Sequence, residues 1–566
     1  IDVPHSIQAV LAARLDGLPD TEKGVLQAAS VVGERFEMAQ VRELVSGTDP
    51  ESSLQSLRRK GLVVGEDRDG DEMRFRHLLI RDAAYASLTK SERATLHDRF
   101  GAVLEREAGD PQPLTEILAH HAERALTLSM ELGIEAELLA HRAGRALDWW
   151  LAAGDRAIAR RDLTTVAAAL RTARVAAGLL PDGGGLPSRA RLALIEAQRL
   201  MMIGDYADAA RAAAEAAGLA DQAGLARAVA TARLTEAWIA NWTGTESLEG
   251  LDGVVQRAVD ACRRAGDAAG EVEALHIGTN RLYGIGRLRE SIEANERLLE
   301  QARRIGDPAP TATILMQLAR SETMRGNLAI AARYREEAEA LAAQTGLRNV
   351  ALQAYLPRGT RLLVTGDLRG AEHVYRQFVD AAREAGVVQL QVAALRNVAY
   401  ALFYQNLPAP AADALDQALA LSESSGERWN RTELFALRAR AALDLGDVPS
   451  AESFMNRALE VYREDDVTAI SEVYHHLGMI RAAQRRDAEA EASLRRSLNS
   501  VRDTDYGWPI TNSALALAKF LAERGQVAEA AALVADRERW VREHELHLWD
   551  PQIAEVRTLI LAATRS

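Results

Sequence analysis

Histidines, a cysteine and paired glycines are the residues of this chain whose types could support catalysis or nucleotide binding. The segment His544-Glu545-Leu546-His547 has one residue too few between its histidines to place both on one helical face, as a zinc peptidase requires. Gly284-Ile285-Gly286 lacks the third glycine of a dinucleotide-binding loop and a preceding strand, so we interpret it as a turn. No Gly-x-x-x-x-Gly-Lys-Ser/Thr segment occurs, so the sequence contains no P-loop for a triphosphate.

The remaining histidines and the cysteine give no other catalytic arrangement. His120-His121 and His475-His476 are adjacent pairs, whose side chains diverge by about 100° on a helix and would not converge on one ion. Cys262 is the only cysteine, which excludes an internal disulfide and a four-thiolate metal site. We interpret it as a small packing residue rather than a nucleophile. The sequence therefore predicts no catalytic residue, cofactor or metal site in this chain.

Composition and charge narrow the class of protein. Of the 566 residues, 48% are hydrophobic and only 5% are aromatic, which is typical of packed helices and predicts an all-α fold. The formal net charge of −13 opposes contact with phosphate backbones, so nucleic acid is not an expected partner. No apolar run reaches the roughly 18–20 residues of a membrane span, and the first residues do not form a secretory signal. We expect a soluble, cytoplasmic protein without a membrane partner.

A repeat of about 40 residues organises most of the chain. A helix-breaking turn resembling Gly-Asp-Leu recurs, with spacings of 40, 42, 40, 40, 39, 41, 40 and 39 residues, at Gly204, Gly244, Gly286, Gly326, Gly366, Gln405, Gly446, Arg486 and Gly525. A second set of breakers, beginning at Gly224, keeps the same period about twenty residues out of phase. Each repeat therefore contains two helices, ended by left-handed residues and followed by polar caps.

Small residues recur at fixed distances from these turns. They lie seven positions before the turn at Ala197, Ala237, Thr279, Ala319, Gly359, Ala439 and Ala518, and five positions after it at Ala209, Ala331, Ala371, Ala451 and Ala530. Departures from the pattern occur at Val398, Pro410, Glu249, Met479 and Glu491. The pattern resembles the tetratricopeptide repeat, whose usual period is 34 residues. We predict about ten helical hairpins that stack into a right-handed α-solenoid with a concave face.

The concave face is the predicted binding surface. Counting from the turns, it is expected to bind a peptide, a protein or a small-molecule inducer through Gln198, Trp238, Asn241, Trp242, Asn280, Tyr283, Arg320 and Arg440. The alternatives are that such side chains pack between hairpins, or that the groove is empty or occupied by the protein's own upstream domains. Because each hairpin of such an array contacts mainly its neighbours, a ligand that bridges several repeats is expected to change the pitch of the whole array.

The first ninety residues have a different pattern. Three helices, ending near Gly33, Val45 and Gly61, precede two strands, residues 62–64 and 73–76, with a turn at residues 67–71 between them. We predict a small winged-helix domain over residues 1–90, a helical linker over 91–146, the repeat superhelix over 147–550 and a capping helix over 551–566. The basic run Arg58-Arg59-Lys60 leaves open a DNA-binding regulator. The alternative is a cationic last turn that meets an acidic neighbour.

Residues 1–125 resemble the region that follows the ATPase core in bacterial signal-transduction ATPases of the STAND class. The resemblance rests on residues 3–16, on residues 25–33 and above all on the His-x-x-x-Arg-x-x-x-Tyr run formed by His77, Arg81 and Tyr85. The segment Leu118-Ala119-His120-His121-Ala122-Glu123 also resembles the helices that lead into the repeats of that family.

This resemblance implies a regulatory role. In the STAND class a nucleotide-binding domain precedes the winged helix, and the repeats hold it inactive until an inducer binds. ATP and Mg²⁺ are then expected only in an upstream domain, which would contact this chain within one molecule. The absence of an initiator methionine before Ile1 leads us to expect a longer protein. The short segment after the last repeat leaves no room for a LuxR-type reader, so an architecture linked to an adenylate or guanylate cyclase is the expected one.

Overall fold

The computed structural model describes residues 5–45, 50–66, 71–109, 111–244, 250–464 and 466–564. Its contacts divide the chain into two compact units: unit 1 comprises residues 1–156 and 164–192, and unit 2 comprises residues 157–163 and 193–566. Among the described residues, no helix is both long enough and apolar enough to cross a lipid bilayer.

Unit 1 begins with short helices around a small sheet. Its elements are α1 (His5–Asp16), α2 (Asp20–Val32), β1 (Arg35–Glu37), α3 (Met38–Leu44), α4 (Pro50–Arg59), β2 (Val63–Gly65), β3 (Glu72–Phe75), α5 (Leu78–Ser87), α6 (Lys90–Glu107) and α7 (Thr115–Leu132). The chain continues through α8 (Ala136–Arg160), α9 (Leu163–Gly178) and α10 (Gly185–Ile203), with 3-10 turns at Gln112–Leu114 and Pro181–Gly184.

The sheet is antiparallel in the order β1-β3-β2, with Phe36 opposite Met73 and Val63 opposite Phe75. The sequence predicted β2 and β3, but it did not predict β1, because three residues are too few for a strand pattern. Most of the turn predicted between β2 and β3, residues 67–70, lies outside the described residues. The rings of Phe36 on β1 and Phe75 on the central strand β3 meet edge to face with centroids 5.5 Å apart, and both rings are buried in the core.

The cationic end of α4 meets an acidic neighbour, as one of the two sequence interpretations expected. Lys60 Nζ lies 2.6 Å from Glu22 Oε2, and the Ser56 hydroxyl donates to the other carboxylate oxygen at 2.9 Å. Glu22 is buried on α2. Although burial acts to raise the pKa of this carboxyl, the hydrogen bonds from Lys60 and Ser56 lower it overall. The last cation of the basic run therefore stabilises the packing of α4 on α2.

A chain of hydrogen bonds joins Tyr85 of the STAND-like run to two buried histidines. The Tyr85 hydroxyl lies 2.9 Å from His97 Nε2, and His97 Nδ1 lies 2.8 Å from His121 Nδ1. One Nδ1 must donate and the other accept, so the contact requires at least one neutral ring. Burial lowers the pKa of His97 to about 2, with further lowering from His121, His120, Arg124 and Arg93. Burial lowers the pKa of His121 to about 3, with further lowering from His120.

These histidines make the stability of unit 1 sensitive to acid. Below pH ~6.5 the unfolded chain takes up protons that the folded pair cannot accept, so stability is complete above that pH and falls as the pH drops. We expect a loss of up to about 1.4 kcal/mol per pH unit per histidine. Amide hydrogen exchange of α6 and α7 between pH 7.5 and 5, corrected for intrinsic exchange rates, measures this loss of stability. The double variant His97→Gln/His121→Gln should flatten the slope, whereas the exposed control His141→Gln should keep it.

Unit 2 is an array of helical hairpins. After α10 the helices are α11 (Tyr206–Gln222), α12 (Ala226–Trp242), α13 (Gly250–Ala265), α14 (Ala268–Gly284), α15 (Leu288–Ile305), α16 (Pro308–Arg325), α17 (Leu328–Thr345), α18 (Arg348–Gln353), α19 (Tyr355–Val364), α20 (Leu368–Glu384), α21 (Val388–Tyr404), α22 (Pro408–Ser425), α23 (Arg431–Asp444), α24 (Val448–Val461), α25 (Val467–Ala483), α26 (Asp487–Val501), α27 (Gly507–Glu523), α28 (Val527–Glu543) and α29 (Asp550–Ala563).

Residues in the left-handed conformation join the two helices of each hairpin. At two turns they lie one residue away from the position predicted from the sequence. The residues with positive φ are Gly204, Gly244, Gly286, Gly326, Gly366, Asn406, Gly446, Arg485 and Gly525. The turns are thus centred on Asn406 and Arg485, one residue away from the predicted Gln405 and Arg486. Counted from the true turns, the apparent departures at Val398, Pro410, Met479 and Glu491 become Ala399, Ala411, Gly478 and Ala490. The small-residue pattern is therefore regular across these hairpins.

The first helices of successive hairpins form a layer of their own, which we call the inner layer. Contacts join α12 to α14, α14 to α16, α16 to α19, α23 to α25 and α25 to α27. Helices α16 and α27, which belong to distant hairpins, also touch. Buried residues lie all around α16, α21 and α27, whereas the second helices bury one side. These three inner helices are thus packed on most sides by neighbouring helices.

The close approach within a hairpin depends on the small residue seven positions before the turn. At Gly359, a Cβ atom would lie 2.8 Å from Cδ1 of Tyr375, a fully buried ring whose hydroxyl is 3.0 Å from Thr360 Oγ1. No space is available for a methyl group unless the Tyr375 ring moves.

Replacing this glycine should therefore destabilise unit 2. We expect Gly359→Ala to lower the free energy of unfolding by about 1–3 kcal/mol through overpacking. The matched control is Gly218→Ala in α11, where no neighbouring atom lies within 4 Å of the new Cβ. That change should stabilise by about 0.5–1 kcal/mol through helix propensity. Urea unfolding of both variants measures the difference, and equal effects would contradict the close packing.

Candidate functional site

The inner layer exposes a defined set of positions. Residues three, six, ten and thirteen positions before the left-handed turn lie on one side of a helix. The residues predicted from sequence occupy the three and six positions, except Trp242, which lies two positions before Gly244. Polar residues that the sequence analysis did not select occupy the ten and thirteen positions, namely His276, Arg396, His475, Thr231, Glu273, Glu433, Glu472 and Asn512. A count in steps of one helical turn from the corrected turns would have found them.

Two predicted residues, Gln198 and Trp238, line one cavity of about 160 Å³ between α10, α12, α13 and α14. Both side chains are half-buried. Glu273 and Cys262 line the same cavity. Cys262 is buried, and this burial raises the pKa of its thiol, which favours the protonated, unreactive form.

Glu273 is the titratable group of this cavity. Its side chain is exposed to solvent at the mouth of the cavity, while the surrounding protein groups displace part of its water. The resulting desolvation raises the pKa of the carboxyl, and Asp267 and Asp307 raise it further, while Arg227 lowers it. The cavity therefore combines an indole ring, an amide and a carboxylate.

Asn241 and Trp242 do not lie on an open groove, and this corrects their predicted placement. Asn241 is only 3% exposed, and Arg463 Nη1 donates to both its backbone oxygen (3.2 Å) and its side-chain oxygen (3.1 Å). The Trp242 ring packs against Trp429 with centroids 6.0 Å apart. Both residues join hairpins that are far apart in sequence, a contact that spacing within one hairpin does not reveal.

Tyr283 and Arg320 lie together, and a distant turn completes their site. The Arg320 guanidinium carbon lies 5.2 Å from the centroid of the Tyr283 ring, which also meets the Tyr506 ring at 5.6 Å. The Tyr506 hydroxyl donates to the Tyr283 carbonyl oxygen. Asn280, one turn earlier on α14, is half-buried. In this part of the inner layer, a guanidinium group therefore lies over an aromatic ring.

Arg440 lies in a network of charged groups further along the inner layer. Its guanidinium stacks on Phe403 at 4.3 Å and its Nε lies 3.5 Å from Asp444. In the preceding hairpin, Arg396 Nη1 donates to Glu433 at 2.7 Å, and the Tyr400 hydroxyl donates to the same carboxylate at 2.7 Å.

Two titratable side chains of α25 adjoin this network. Burial raises the pKa of the Glu472 carboxyl, against the influence of nearby His475 and Arg440. Burial also lowers the pKa of His475 to about 3, with His476 lowering it further. Both groups therefore favour the neutral form more than they would in water.

The motifs examined for catalysis occupy structural positions. Gly286 forms the turn between α14 and α15. Glu545, with φ of 54°, lies beyond the end of α28, so His544 and His547 do not share a helical face. His544 packs on Trp540, and His547 Nδ1 lies 3.0 Å from Asp550. Within the described part of the chain, no group of three or more His, Cys, Asp and Glu side chains has a metal-binding arrangement.

Comparisons with known proteins give structural likeness without a family assignment. No family model and no curated protein match the sequence. A STAND protein with a tetratricopeptide repeat sensor from Pyrococcus horikoshii has 16% identity and a TM-score of 0.41, with 81% of this chain and 65% of that chain covered. This chain thus spans less than two thirds of that protein.

Two further solved structures resemble the array. A Rap protein complexed with competence and sporulation factor has 11% identity and a TM-score of 0.47, covering 63% of this chain and 98% of that one. The Cut9–Hcn1 hetero-tetramer of APC/C has 12% identity and a TM-score of 0.44, covering 85% and 95%. Similarity at this level does not transfer a ligand or an activity, so function must be argued from the geometry of this chain.

The contact between Asn241 and Arg463 gives a test of the corrected placement. We expect Asn241→Ala and Arg463→Ala each to lower the free energy of unfolding by about 1–3 kcal/mol, because each removes the charge-assisted hydrogen bond between the Arg463 guanidinium and the buried Asn241 amide. The control, Asn499→Ala on the exposed side of α26, should change stability by no more than about 0.5 kcal/mol. Urea unfolding measures all three, and an Asn241→Ala variant as stable as Asn499→Ala would contradict the contact.

Proposed function

We propose that unit 2 is a non-catalytic sensing arm that binds a peptide, a protein segment or a small-molecule inducer on its inner layer. One observation carries this proposal. Arg320 and Arg396 each have a buried Nε atom without a hydrogen-bond partner within the described part of the chain, and the buried Nε of Arg440 has only the Asp444 carboxylate at 3.5 Å. Buried donors are almost always satisfied, so donors that recur along one surface are suited to acceptor atoms of a ligand.

The same layer offers apolar and polar contacts beside these donors. Aromatic rings adjoin two of the arginines, Tyr283 beside Arg320 and Phe403 beside Arg440. Among the acceptors found in proteins, a guanidinium binds carboxylates most strongly, and it also donates to backbone carbonyl groups. A peptide presents both kinds of acceptor, together with side chains that can stack on the rings.

We further propose that this arm regulates an upstream nucleotide-binding domain of the STAND class. The support is the resemblance of residues 1–125 to the region that follows the ATPase core in that class. In this proposal the upstream domain binds ATP and Mg²⁺, and a cyclase is the linked output. In this proposal residues 1–90 form a winged-helix domain, and the packing of α2, α3 and α4 beside an antiparallel sheet supports it. The winged helix and residues 91–146 would then relay ligand binding to that domain in a bacterial cytoplasm.

The charges beside the sheet give less support to a DNA-binding regulator. Glu66, next to β2, pairs with Arg74 at 2.6 Å and with Arg35 at 3.0 Å. Lys60 is held by Glu22. These cations are already neutralised by neighbours, which lowers their value for contact with phosphate.

Arg320 allows a direct test of binding. We expect Arg320→Gln to weaken binding of peptides to unit 2 at least tenfold, about 1.4 kcal/mol, because a charged donor is lost while the amide keeps some of the packing. Fluorescence anisotropy with a panel of octapeptides, each labelled at the carboxyl end and differing in net charge, measures the affinity.

The control for this test is Arg303→Gln. Arg303 lies on α15 and forms an exposed ion pair with Glu337, so its loss removes the same charge away from the inner layer. The control should bind as the parent does, and both variants should retain the parent's melting temperature. If both substitutions weaken binding equally, the effect comes from net charge and the inner-layer site is wrong. Turnover of ATP by this chain alone would contradict the non-catalytic assignment.

A further inference from the structure

The cavity beside Trp238 has a chemical character unlike that of the arginine-bearing part of the inner layer. Gln198, Thr231 and Trp238 face it from α10 and α12, and Glu273 and Ile277 face it from α14. No arginine or lysine lines it. At about 160 Å³ it is smaller than the roughly 300 Å³ of the smallest common ligand pockets, so it suits one end of a ligand.

The charge of the cavity is negative. Asp267 and Asp307 lie near enough to Glu273 to raise the pKa of its carboxyl. The nearby cation, Arg227, is engaged by Asp267, with Nε and Oδ2 2.7 Å apart. Within the described residues, no hydrogen bond or ion pair occupies the Glu273 carboxylate. A carboxylate in partly desolvated surroundings without a bonded partner is suited to receive a cationic group.

The other walls specify which cation fits. The indole of Trp238 is the best aromatic surface for a cation, and Leu234, Met201 and Ile277 supply apolar contact for a short carbon chain. The side-chain oxygens of Gln198 and Thr231 are acceptors for N–H groups. A metal ion is a poor occupant, because Glu273 is the one carboxylate among the lining residues and the Cys262 thiol is favoured in its protonated form.

We propose that this cavity binds a primary ammonium group carried on a short apolar chain, such as the amino terminus of a peptide or a free alkylamine. This proposal specifies one part of the ligand of the proposed function, and it rests on that function for the source of the ammonium group. Glu273 would pair with the ammonium, Trp238 would lie against it and the apolar wall would hold the adjoining carbons. His276, one turn along α14, lies close enough to Arg320 for their charges to interact. The ammonium site is therefore followed along the inner layer by the first arginine.

The first test uses n-butylammonium chloride with the full chain at constant ionic strength. Saturation-transfer NMR should detect saturable binding below roughly 10 mM, an affinity that five heavy atoms can supply. The neutral analogue n-butanol should bind at least tenfold more weakly. Glu273→Gln should weaken the binding of butylammonium at least tenfold and leave that of butanol unchanged. The matched control is Glu293→Gln, an exposed carboxylate on α15, and it should bind butylammonium as the parent does.

Several results would overturn the assignment. Absence of saturable butylammonium binding would do so, as would equal binding of butanol and butylammonium, or equal loss in the Glu273→Gln and Glu293→Gln variants. A melting temperature unchanged by Glu273→Gln establishes that any loss is local.

The second test identifies the source of the ammonium. Octapeptides with a free amino terminus should bind at least tenfold more tightly than their N-acetylated forms, and Glu273→Gln should remove the difference. Peptides that bind equally with and without acetylation would leave unit 2 a peptide-binding arm but assign the cavity to free alkylamines. If butylammonium binds and no peptide does, the ammonium site stands and the peptide version of the proposed function fails.

Discussion

The carbonyl groups at the ends of the inner helices are the constraint on which the architecture of unit 2 depends. The last carbonyls of a helix have no partner within it and must be satisfied elsewhere. Here later turns of the array satisfy them. The Trp242 carbonyl accepts from the N–H groups of Arg428 and Trp429, and the Val364 carbonyl accepts from those of His547 and Leu548. Side chains from later hairpins satisfy other carbonyl groups in the same way. The Arg463 guanidinium donates to the Asn241 carbonyl, and the Tyr506 hydroxyl donates to the Tyr283 carbonyl.

These contacts change how the array must be understood. A solenoid whose hairpins touch only their neighbours is quasi-one-dimensional, and rotations add up along it. In unit 2, partners 183 to 223 residues apart are bonded to one another. The expectation that a ligand freely changes the pitch of the whole array is therefore wrong in its simple form. A change of pitch must break or shift the contacts between early inner helices and late turns.

The local periodicity of the sequence was sufficient to predict the hairpins but not the contacts between distant ones. Glycines end the helices because they adopt the left-handed conformation readily, so most turns could be placed to the residue. Where Asn406 and Arg485 take that role, the sequence offers no glycine, and the predicted register was wrong by one residue. The burial of Asn241 could not be predicted, because it depends on which turn passes above it, and that depends on small rotations between hairpins.

The cavity proposed to bind an ammonium group lies on two helices that make these distant contacts. Trp238 lies on the wall of the cavity, and Asn241, less than one helical turn further along α12, is bonded to Arg463. Glu273 and Tyr283 lie in the same way on α14, one at the cavity and the other bonded to Tyr506. A ligand held between Trp238 and Glu273 therefore acts on the spacing of two helices whose carbonyl ends are both fixed to later hairpins. Both walls of the cavity are therefore carried by helices that are hydrogen-bonded to late hairpins of the array. The bonded path from the cavity to the late turns thus runs along α12 and α14 directly, without passing through each intervening hairpin.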